Sequence, residues 1–229
     1  LHPQPLLIKH PSGEDNPRIL AVTRLVLFDI DGTLVHTRKA GVHAFLSALK
    51  SEFNITPSEG EVSFAGRTDK SLAREFFNHH GIETSEENFR RFFDCYVFWL
   101  DYMLRRAQGE GAPGVDHFIC NLLSQNTPPM IGLLTGNIRL GAEIKLRHFY
   151  LWEYFRMGAF GDEEEDRNKL AALALERGRK LLGANLAPEE VVIVGDTTRD
   201  VDCSKAINAR CLAVTTGGST AEELQASNP

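Results

Sequence analysis

Hydrophobic residues follow two different spacings along this chain. Residues 25–28 form a short, unbroken apolar run, which is typical of a strand buried on both faces. Between residues 38 and 107 the apolar residues recur instead at helical spacing, and no alternating strand pattern appears. This stretch therefore predicts three helices with an aromatic core of their own. The positions that define them are Val42, Phe45, Leu46, Leu49 and Phe53, then Leu72, Phe76 and Phe77, then Phe89, Phe92, Phe93, Tyr96, Leu100, Met103 and Leu104.

From residue 108 onward, helical and strand patterns alternate. A segment rich in Gly and Pro, residues 109–114, is interpreted as a linker into this part of the chain. A helix precedes each strand that follows, and such alternation predicts a parallel sheet flanked by helices. The predicted helices lie near residues 115–125, 138–149, 167–182 and 199–208, and the strands near 130–134, 157–160, 191–194 and 211–214.

These patterns predict an α/β protein with a Rossmann-like parallel sheet core and an inserted all-helical cap domain. The core would comprise residues 19–37 and 108–229, and the insertion, residues 38–107, would follow the first strand. Residues 1–18 are rich in Pro and charged residues and lack the apolar core of a signal peptide. We expect them to form an N-terminal extension.

Composition restricts the choice of partners. Of the 229 residues, 42% are hydrophobic and 24% are charged, which is usual for a soluble globular protein. The formal net charge of -6 argues against binding to nucleic acid or to an anionic membrane. No apolar run is long enough to span a membrane. The four cysteines are widely separated and show no CxxC spacing, so we expect free thiols in a cytoplasmic protein.

The first apolar run ends in two carboxylates, Asp29 and Asp31. Because residues i and i+2 of an extended chain point to the same face, two like charges would lie close together. Two unit charges ~4 Å apart repel by roughly 4 kcal/mol near a protein surface, so a cation is required, and oxygen ligands favour Mg²⁺. Gly32 allows the chain to turn directly afterwards. The alternative is an Asp-Gly hairpin turn between strands at residues 25–30 and 33–37.

Polar residues also follow other predicted strands, at the sheet edge where α/β proteins bind their ligands. Thr135-Gly136-Asn137 follows the second strand, and Gly195-Asp196-Thr197-Thr198-Arg199-Asp200 follows the fourth. Two cations, Arg167 and Lys169, stand at the start of an intervening helix. These groups could form one site of carboxylates, a hydroxyl, backbone N–H groups and a cation.

Each of these residues also has a simpler interpretation. The threonines and Asn137 could cap the helices that follow them, Asp196 could belong to a turn, and the two cations could be solvated. The acidic run at residues 163–166 is interpreted as a solvated loop. The occurrence of the polar groups together, at successive strand ends, favours a shared site over capping alone.

The segments resemble the four motifs of the haloacid dehalogenase-like hydrolase superfamily. The likeness is to its phosphoglycolate-phosphatase-like members, which carry a helical cap after the first strand, and it covers roughly residues 23–226. It implies a Mg²⁺-dependent phosphatase that hydrolyses a small-molecule phosphate monoester, such as phosphoglycolate or a sugar phosphate, through an aspartyl-phosphate intermediate. The motifs are Asp29-Ile30-Asp31-Gly32-Thr33, Thr135-Gly136-Asn137, the basic residue near 167, and Gly195 to Asp200.

The resemblance implies a role for the residues of the first two motifs. Asp29 would be the nucleophile, and Asp31 would act as general acid and base. Thr135, with Gly136 and Asn137, would bind the phosphoryl group. Asp31 favours phosphate esters over haloalkanoates, because the dehalogenases of the superfamily lack this second Asp.

The resemblance also implies a metal site and a catalytic cation. Mg²⁺ would be held by Asp29, by the backbone carbonyl of Asp31, by Asp196, and by Asp200 directly or through water. The third motif departs from the common Lys-Pro pattern, since the chain has Arg167-Asn168-Lys169 there. We assign the cation to Arg167, which could clamp two oxygens, with Lys169 and Lys145 as alternatives.

The predicted insertion offers one further candidate, Arg67 of Gly66-Arg67-Thr68-Asp69, which we expect to bind the substrate's leaving group. The alternative is a solvated Arg67 beside an Asp69 that caps the next helix. Other functions remain open: a β-phosphoglucomutase-like phosphomutase, a non-catalytic phosphate-binding member, or a phospho-acceptor receiver module. A receiver fits least well, because it is about half this length and lacks a cap.

Overall fold

The computed structural model describes residues 22–57 and 63–229, so the predicted extension at residues 1–18 lies outside the described residues. The strands are β1 Leu25–Phe28, β2 Val35–His36, β3 Glu110–Gly111, β4 Met130–Leu134, β5 Met157–Ala159, β6 Val191–Gly195 and β7 Arg210–Ala213. Five of them form a parallel sheet in the order β5-β4-β1-β6-β7, and β1 pairs in register with β4 and β6. All four residues of β1 are buried, as expected for the central strand of a covered sheet.

Helices cover both faces of this sheet. They are α4 Val115–Leu123, α5 Arg139–His148, α6 Arg167–Leu182, α7 Thr198–Ala206 and the short C-terminal α8 Ala221–Ala226. Apolar residues of α4 and α5 pack with Val26 and Phe28 on one face, and those of α6 and α7 pack with Leu25 and Leu27 on the other. The predicted fold class, an α/β protein with a parallel sheet flanked by helices, is confirmed.

Three helices lie between β2 and β3 in the chain. They are α1 Ala40–Phe53, α2 Asp69–His79 and α3 Glu86–Leu104, and we call them the inserted helices. Their buried faces form a separate apolar cluster centred on Phe45, Phe76, Phe77, Phe92 and Tyr96. Thr68 and Ser85 accept hydrogen bonds from the first turns of α2 and α3 and so fix where these helices begin. None of the helices in the described part is both long and apolar enough to cross a lipid bilayer.

Two sequence-based interpretations were wrong, one of the residues that follow β1 and one of residues 109–114. The hairpin alternative fails because both sheet neighbours of β1 are parallel strands, with registers set by residues 130–133 and 191–194. The interpretation of residues 109–114 as a plain linker fails because Glu110 and Gly111 form β3, which pairs antiparallel with β2. Two-residue strands carry too little pattern to be recognised in a sequence, and only their pairing defines them.

The acidic run at residues 163–166 is a loop with Glu163 and Asp166 exposed, as predicted, but it is not merely solvated. The carboxylate of Glu165 accepts hydrogen bonds from both Nε and a terminal nitrogen of Arg74 on α2, at 2.7–3.0 Å. The Glu165 carbonyl accepts a further bond from the Thr68 hydroxyl. Glu163 forms an ion pair with Arg177. The run therefore fastens the inserted helices to the sheet domain.

Candidate active site

Three carboxylates meet at the carboxyl edge of the sheet. Asp29 directly follows β1, and its backbone N–H donates to the carbonyl of Val194, which extends the pairing with β6. Asp196 follows β6, and Asp200 lies in the first turn of α7. One oxygen from each of the three lies within 4.8 Å of the others, and all three residues are buried. The strand ends thus bring together carboxylates that are far apart in sequence.

Hydrogen bonds hold Asp196 and Asp200 in place. Asp196 accepts from the Thr33 hydroxyl at 3.0 Å and from the backbone N–H of Gly218. Asp200 Oδ2 accepts from the backbone N–H of Thr197 at 3.0 Å and from its hydroxyl at 2.6 Å. Each carboxylate therefore keeps a fixed direction, which preorganises the cluster for a ligand.

Arg167 is the cation of this cluster. It begins α6, is 7% exposed, and donates from Nη2 to Asp200 at 2.5 Å, with Asp29 at 3.6 Å. Burial opposes its charge, but the carboxylates of Asp200 and Asp29 outweigh burial and raise the pKa of the guanidinium. Lys169, one alternative for this role, is exposed on the surface of α6. The simpler interpretation of Arg167 as a solvated charge was wrong.

Burial raises the pKa of Asp29 well above its ordinary value, against the opposing charge of Arg167 and with the added repulsion of Asp200 and Asp196. Burial also raises the pKa of Asp196. The single guanidinium of Arg167 therefore does not balance the charge of three ionised carboxylates. A divalent cation among these oxygens would favour the ionised carboxylates, and carboxylate oxygens are the donors that Mg²⁺ prefers.

Asp31 occupies a different position from the three clustered carboxylates. Its Oδ2 accepts from Asn137 Nδ2 at 2.8 Å and from Lys145 Nζ at 2.6 Å. Lys145 also donates to Asn137 Oδ1, and its side chain is only 4% exposed. The structure therefore places two cations at the site: Arg167 beside the buried carboxylates and Lys145 beside Asp31.

The second motif forms a compact polar unit after β4. Thr135 is completely buried, and its hydroxyl accepts from the backbone N–H of Asn137 at 3.3 Å and from Asn137 Nδ2 at 2.8 Å. Helix α5 begins after Ile138, and neither Thr135 nor Asn137 caps it. The capping alternative for these two residues was therefore wrong, because the side chains bond to each other rather than to the helix.

Asp69 joins the inserted helices to this second motif. Its carboxylate accepts from the backbone N–H of Ile138 at 2.9 Å, and its own backbone N–H donates to the carbonyl of Gly136 at 2.7 Å. Burial raises the pKa of Asp69 to about 6, although Lys145 opposes the shift. The alternative that Asp69 caps its own helix was wrong, since Thr68 is the N-cap of α2.

The segment before α2 and the segment after β4 are in close backbone contact at Gly136. A Cβ at this position would collide with the carbonyl oxygen of Arg67, so only glycine allows the contact. The side chain of Arg67 forms an ion pair with Glu75 at 2.6 Å and is 21% exposed. Arg67 therefore lies at the site with its charge already paired, neither fully solvated nor free.

A cavity of about 280 Å³ lies between the sheet edge and the inserted helices. Its sheet side is lined by Asp29, Asp31, Asn137, Arg167 and Asp196. Its other side is lined by residues of the segment 37–45, of the segment 64–72 and by Tyr96. All of the predicted site residues either line this cavity or, as with Thr135 and Asp200, directly contact residues that do.

Comparison with known proteins identifies the class. Residues 26–214 match the family model described as haloacid dehalogenase-like hydrolase, so the chain belongs to this family. It is a phosphatase-type member that resembles the phosphoglycolate phosphatases, as the sequence predicted.

Individual relatives agree with this class. The chain is 28% identical over 209 residues to "Probable phosphatase IndB" of Dickeya dadantii, covering 90% of this chain and 86% of that protein. It is 29% identical over 202 residues to "Phosphoglycolate phosphatase 1" of Pseudomonas aeruginosa, covering 85% and 70%. The crystal structure of CbbY from Rhodobacter sphaeroides in complex with phosphate has a TM-score of 0.71 at 18% identity, covering 88% and 90%, and shares the fold.

Asp69 is the residue that sequence reasoning missed, since we considered it only as a helix cap. Its position directly before a predicted helix made that reading reasonable. The acid's actual partner, Ile138, is 69 residues away, and no local pattern predicts such a contact. The weak signal was its place in Gly66-Arg67-Thr68-Asp69, a polar loop between apolar helices.

Proposed function

We propose that the protein is a Mg²⁺-dependent phosphatase that hydrolyses a small-molecule phosphate monoester through an aspartyl-phosphate on Asp29. The observation that carries this proposal is the cluster of three buried carboxylates, with Arg167 beside them, at the sheet side of the cavity. Burying several acids in one place is costly unless positive charge offsets theirs, and Arg167 alone does not balance three carboxylates.

The donor set fits the metal. Asp29, Asp196 and Asp200 offer only carboxylate oxygens, and the group has one cation for three acids. These side chains, with the backbone carbonyl of Asp31, would hold Mg²⁺. A bound divalent ion would neutralise the charge of the nucleophile and of the phosphate and so allow two anions to approach each other.

The nucleophilic step belongs to Asp29. Its carboxylate oxygen forms a bond to phosphorus while the bond from phosphorus to the ester oxygen breaks. Arg167 has the charge to bind the phosphoryl oxygens, and its Nε is one of two buried side-chain donors without a partner among the described residues. The Thr135 hydroxyl accepts from Asn137 and keeps its own hydrogen, so it would be a further donor.

Proton transfer belongs to Asp31. Its carboxyl group gives a proton to the leaving ester oxygen and then takes one from the water that attacks the aspartyl-phosphate, which restores Asp29 and releases inorganic phosphate. Hydrogen bonds from Asn137 and Lys145 to Oδ2 fix one side of this carboxyl group and leave Oδ1 for the substrate. The side chain of Asp31 is 43% exposed, in accord with access to water.

The inserted helices act as a cap over the core. In this division residues 38–107 form the cap, and residues 19–37 and 108–229 form the hydrolase core. The cavity volume of about 280 Å³ suits a metabolite and excludes a folded phosphoprotein. The four cysteines are free thiols, in accord with a reducing cytoplasm.

The test is hydrolysis of p-nitrophenyl phosphate with Mg²⁺, with EDTA, and by the variant Asp29→Asn. We expect metal-dependent turnover that falls by roughly 10³-fold or more in the variant, because the nucleophile is lost. Asp116→Asn, an exposed acid on α4, is the matched control and should keep wild-type activity. Turnover that survives Asp29→Asn would disprove the mechanism.

A second assay separates the phosphatase from the phosphomutase alternative. Wild-type enzyme loaded with Mg²⁺ would be given a hexose phosphate, and both inorganic phosphate and isomeric sugar phosphates would be measured. We expect release of inorganic phosphate. Accumulation of an isomeric sugar phosphate without phosphate release would favour the mutase instead.

A further inference from the structure

We propose that the substrate's leaving group is uncharged and presents an apolar, ring-sized face to the cap, so that phosphoglycolate is a poor substrate. This inference rests on the proposed phosphatase function and deepens it. It depends on two properties of the cavity wall opposite Asp29: the side chains are mainly apolar, and of the two cations there Arg67 is paired with Glu75 and Lys39 is exposed.

The cap side of the cavity has an aromatic wall. Phe45 is 1% exposed, and its ring packs edge-on against Phe64 at 5.3 Å and against Tyr96 at 5.9 Å between centroids. Val42 and Phe64 are only half-buried, so they present apolar surface to the cavity. A leaving group that covers this surface gains the free energy of burying it, at about 25 cal/mol per Å².

Of the cations that line the cavity, Arg167 lies at the phosphate end, and the others are paired with acids or exposed. Arg67 pairs with Glu75 at 2.6 Å, Lys145 with Asp31 at 2.6 Å, and Arg167 with Asp200 at 2.5 Å. The remaining lining cation in the described residues is Lys39, which is exposed and thus well hydrated. A carboxylate on the leaving group would find no free, desolvated cation.

Two acids near this wall, Asp69 on the cap side and Asp31 on the sheet side, disfavour a charged leaving group. Asp69 lines the cavity beside Asp31, and the repulsion between their charges would extend to any carboxylate placed there. The phosphate itself differs, because Arg167 and the proposed metal lie at its end of the cavity. The cavity therefore accepts one anionic group at the sheet edge and disfavours a second under the cap.

Two pairs of esters test the inference. Benzyl phosphate and 4-carboxybenzyl phosphate have leaving alcohols of nearly equal acidity and differ in one remote charge. We expect kcat/KM to be about tenfold or more higher for benzyl phosphate, the range that one unfavourable polar contact produces. Ethyl phosphate should likewise be preferred to phosphoglycolate. An equal or greater kcat/KM for the carboxylated ester would overturn the inference. The phosphatase proposal would still stand in that case, provided that turnover depends on Asp29.

Binding to the wild-type enzyme gives a readout independent of turnover. Benzylphosphonate and 4-carboxybenzylphosphonate cannot be hydrolysed at phosphorus, and their affinities with Mg²⁺ present can be compared by calorimetry. Tighter binding of benzylphosphonate, by about tenfold, supports the inference even if turnover is slow. Tighter binding of the carboxylated compound would contradict it.

Two variants locate the effect at the aromatic wall. Phe64→Ala should lower kcat/KM for benzyl phosphate by about tenfold and leave that for ethyl phosphate nearly unchanged. Phe98→Ala removes an aromatic ring that is 65% exposed and does not line the cavity, and should change neither. Val42→Arg adds a cation to the wall and should raise the relative rate with 4-carboxybenzyl phosphate. An equal loss on both esters in folded Phe64→Ala would rule out a specificity role.

Discussion

The two walls of the cavity are built on different principles. The sheet wall consists of polar and charged groups at the ends of β1, β4 and β6, and hydrogen bonds orient Asp31, Asn137 and Asp196 among them. The cap wall consists of one face of an aromatic cluster whose members pack mainly against one another. The sheet wall therefore has fixed chemistry, whereas the cap wall provides shape and apolar surface. We infer that the core determines the reaction and the cap determines the leaving group.

The cap meets the core through a polar junction and an apolar one. In the polar junction the backbone N–H of Asp69 donates to the Gly136 carbonyl, its carboxylate accepts from the Ile138 N–H, and Arg74 binds Glu165 with two nitrogens. In the apolar junction α3 packs on α5, and Ile138 belongs to the apolar cluster of the inserted helices. The polar junction buries little apolar surface, so a change there can loosen the cap locally without unfolding either side. Variants of the sheet wall should thus affect chemistry most, and variants of the junction should affect closure.

The largest effect should come from Arg167 on the sheet wall. Replacing it by Met leaves Asp29 and Asp200 without their cation, and we expect kcat to fall by roughly 10³-fold at saturating Mg²⁺. Arg167→Lys keeps the charge and should lose less. Arg156→Met, an exposed arginine, is the control. Wild-type kcat in Arg167→Met would show that Lys145 is the catalytic cation instead.

A smaller effect should come from the junction at Gly136. In Gly136→Ala the added methyl group meets the Arg67 carbonyl, which pushes the cap away from the core. We expect kcat/KM to fall by roughly 10- to 100-fold, because misplacement of the cap disturbs substrate positioning. Thermal stability should also fall, because the collision is with a backbone atom and breaks the hydrogen bond from Asp69 to Gly136. Gly111→Ala, where the new methyl meets only a Val115 side-chain carbon at 3.5 Å, is the control. A large fall in stability with normal kcat/KM would contradict a closure role.

The smallest effect should be a pH dependence of stability caused by Asp69. An acid whose pKa is higher in the folded state stabilises that state when protonated, so its contribution falls as pH rises from 3.8 to about 6. Lys145 opposes the shift, and Asp31 and Asp162 add to it. Relative to Asp69→Asn, the wild-type free energy of unfolding should fall by roughly 1 to 3 kcal/mol across this window.

Denaturant unfolding at pH 4 and at pH 7 measures this difference. Asp94→Asn, an exposed acid on α3, should show no comparable change with pH and serves as the control. A wild-type free energy of unfolding, relative to Asp69→Asn, that stays constant from pH 4 to pH 7 or that rises with pH would contradict a raised pKa of Asp69.

Local patterns in the sequence were enough to identify the sheet and the motifs at its edge. Each of β1, β4 and β6 is an apolar run followed closely by polar residues, whereas the order of the strands in the sheet came only from the structure. Asp29, Asp196 and Arg167 could be predicted because each stands directly at the end of a strand or at the start of a helix. The pairing of β2 with β3 could not, because two residues carry no periodicity.

What the sequence determined by itself was the identity of the groups: which carboxylates end the strands, which residues form the inserted helices and which family they resemble. What only the tertiary structure decided was which group meets which. Lys145 reaches Asp31 across 114 positions of sequence, Asp69 reaches Ile138 across 69, and Arg74 reaches Glu165 across 91. Local residue preferences act over a few positions, whereas these pairs depend on how the inserted helices pack on the sheet edge.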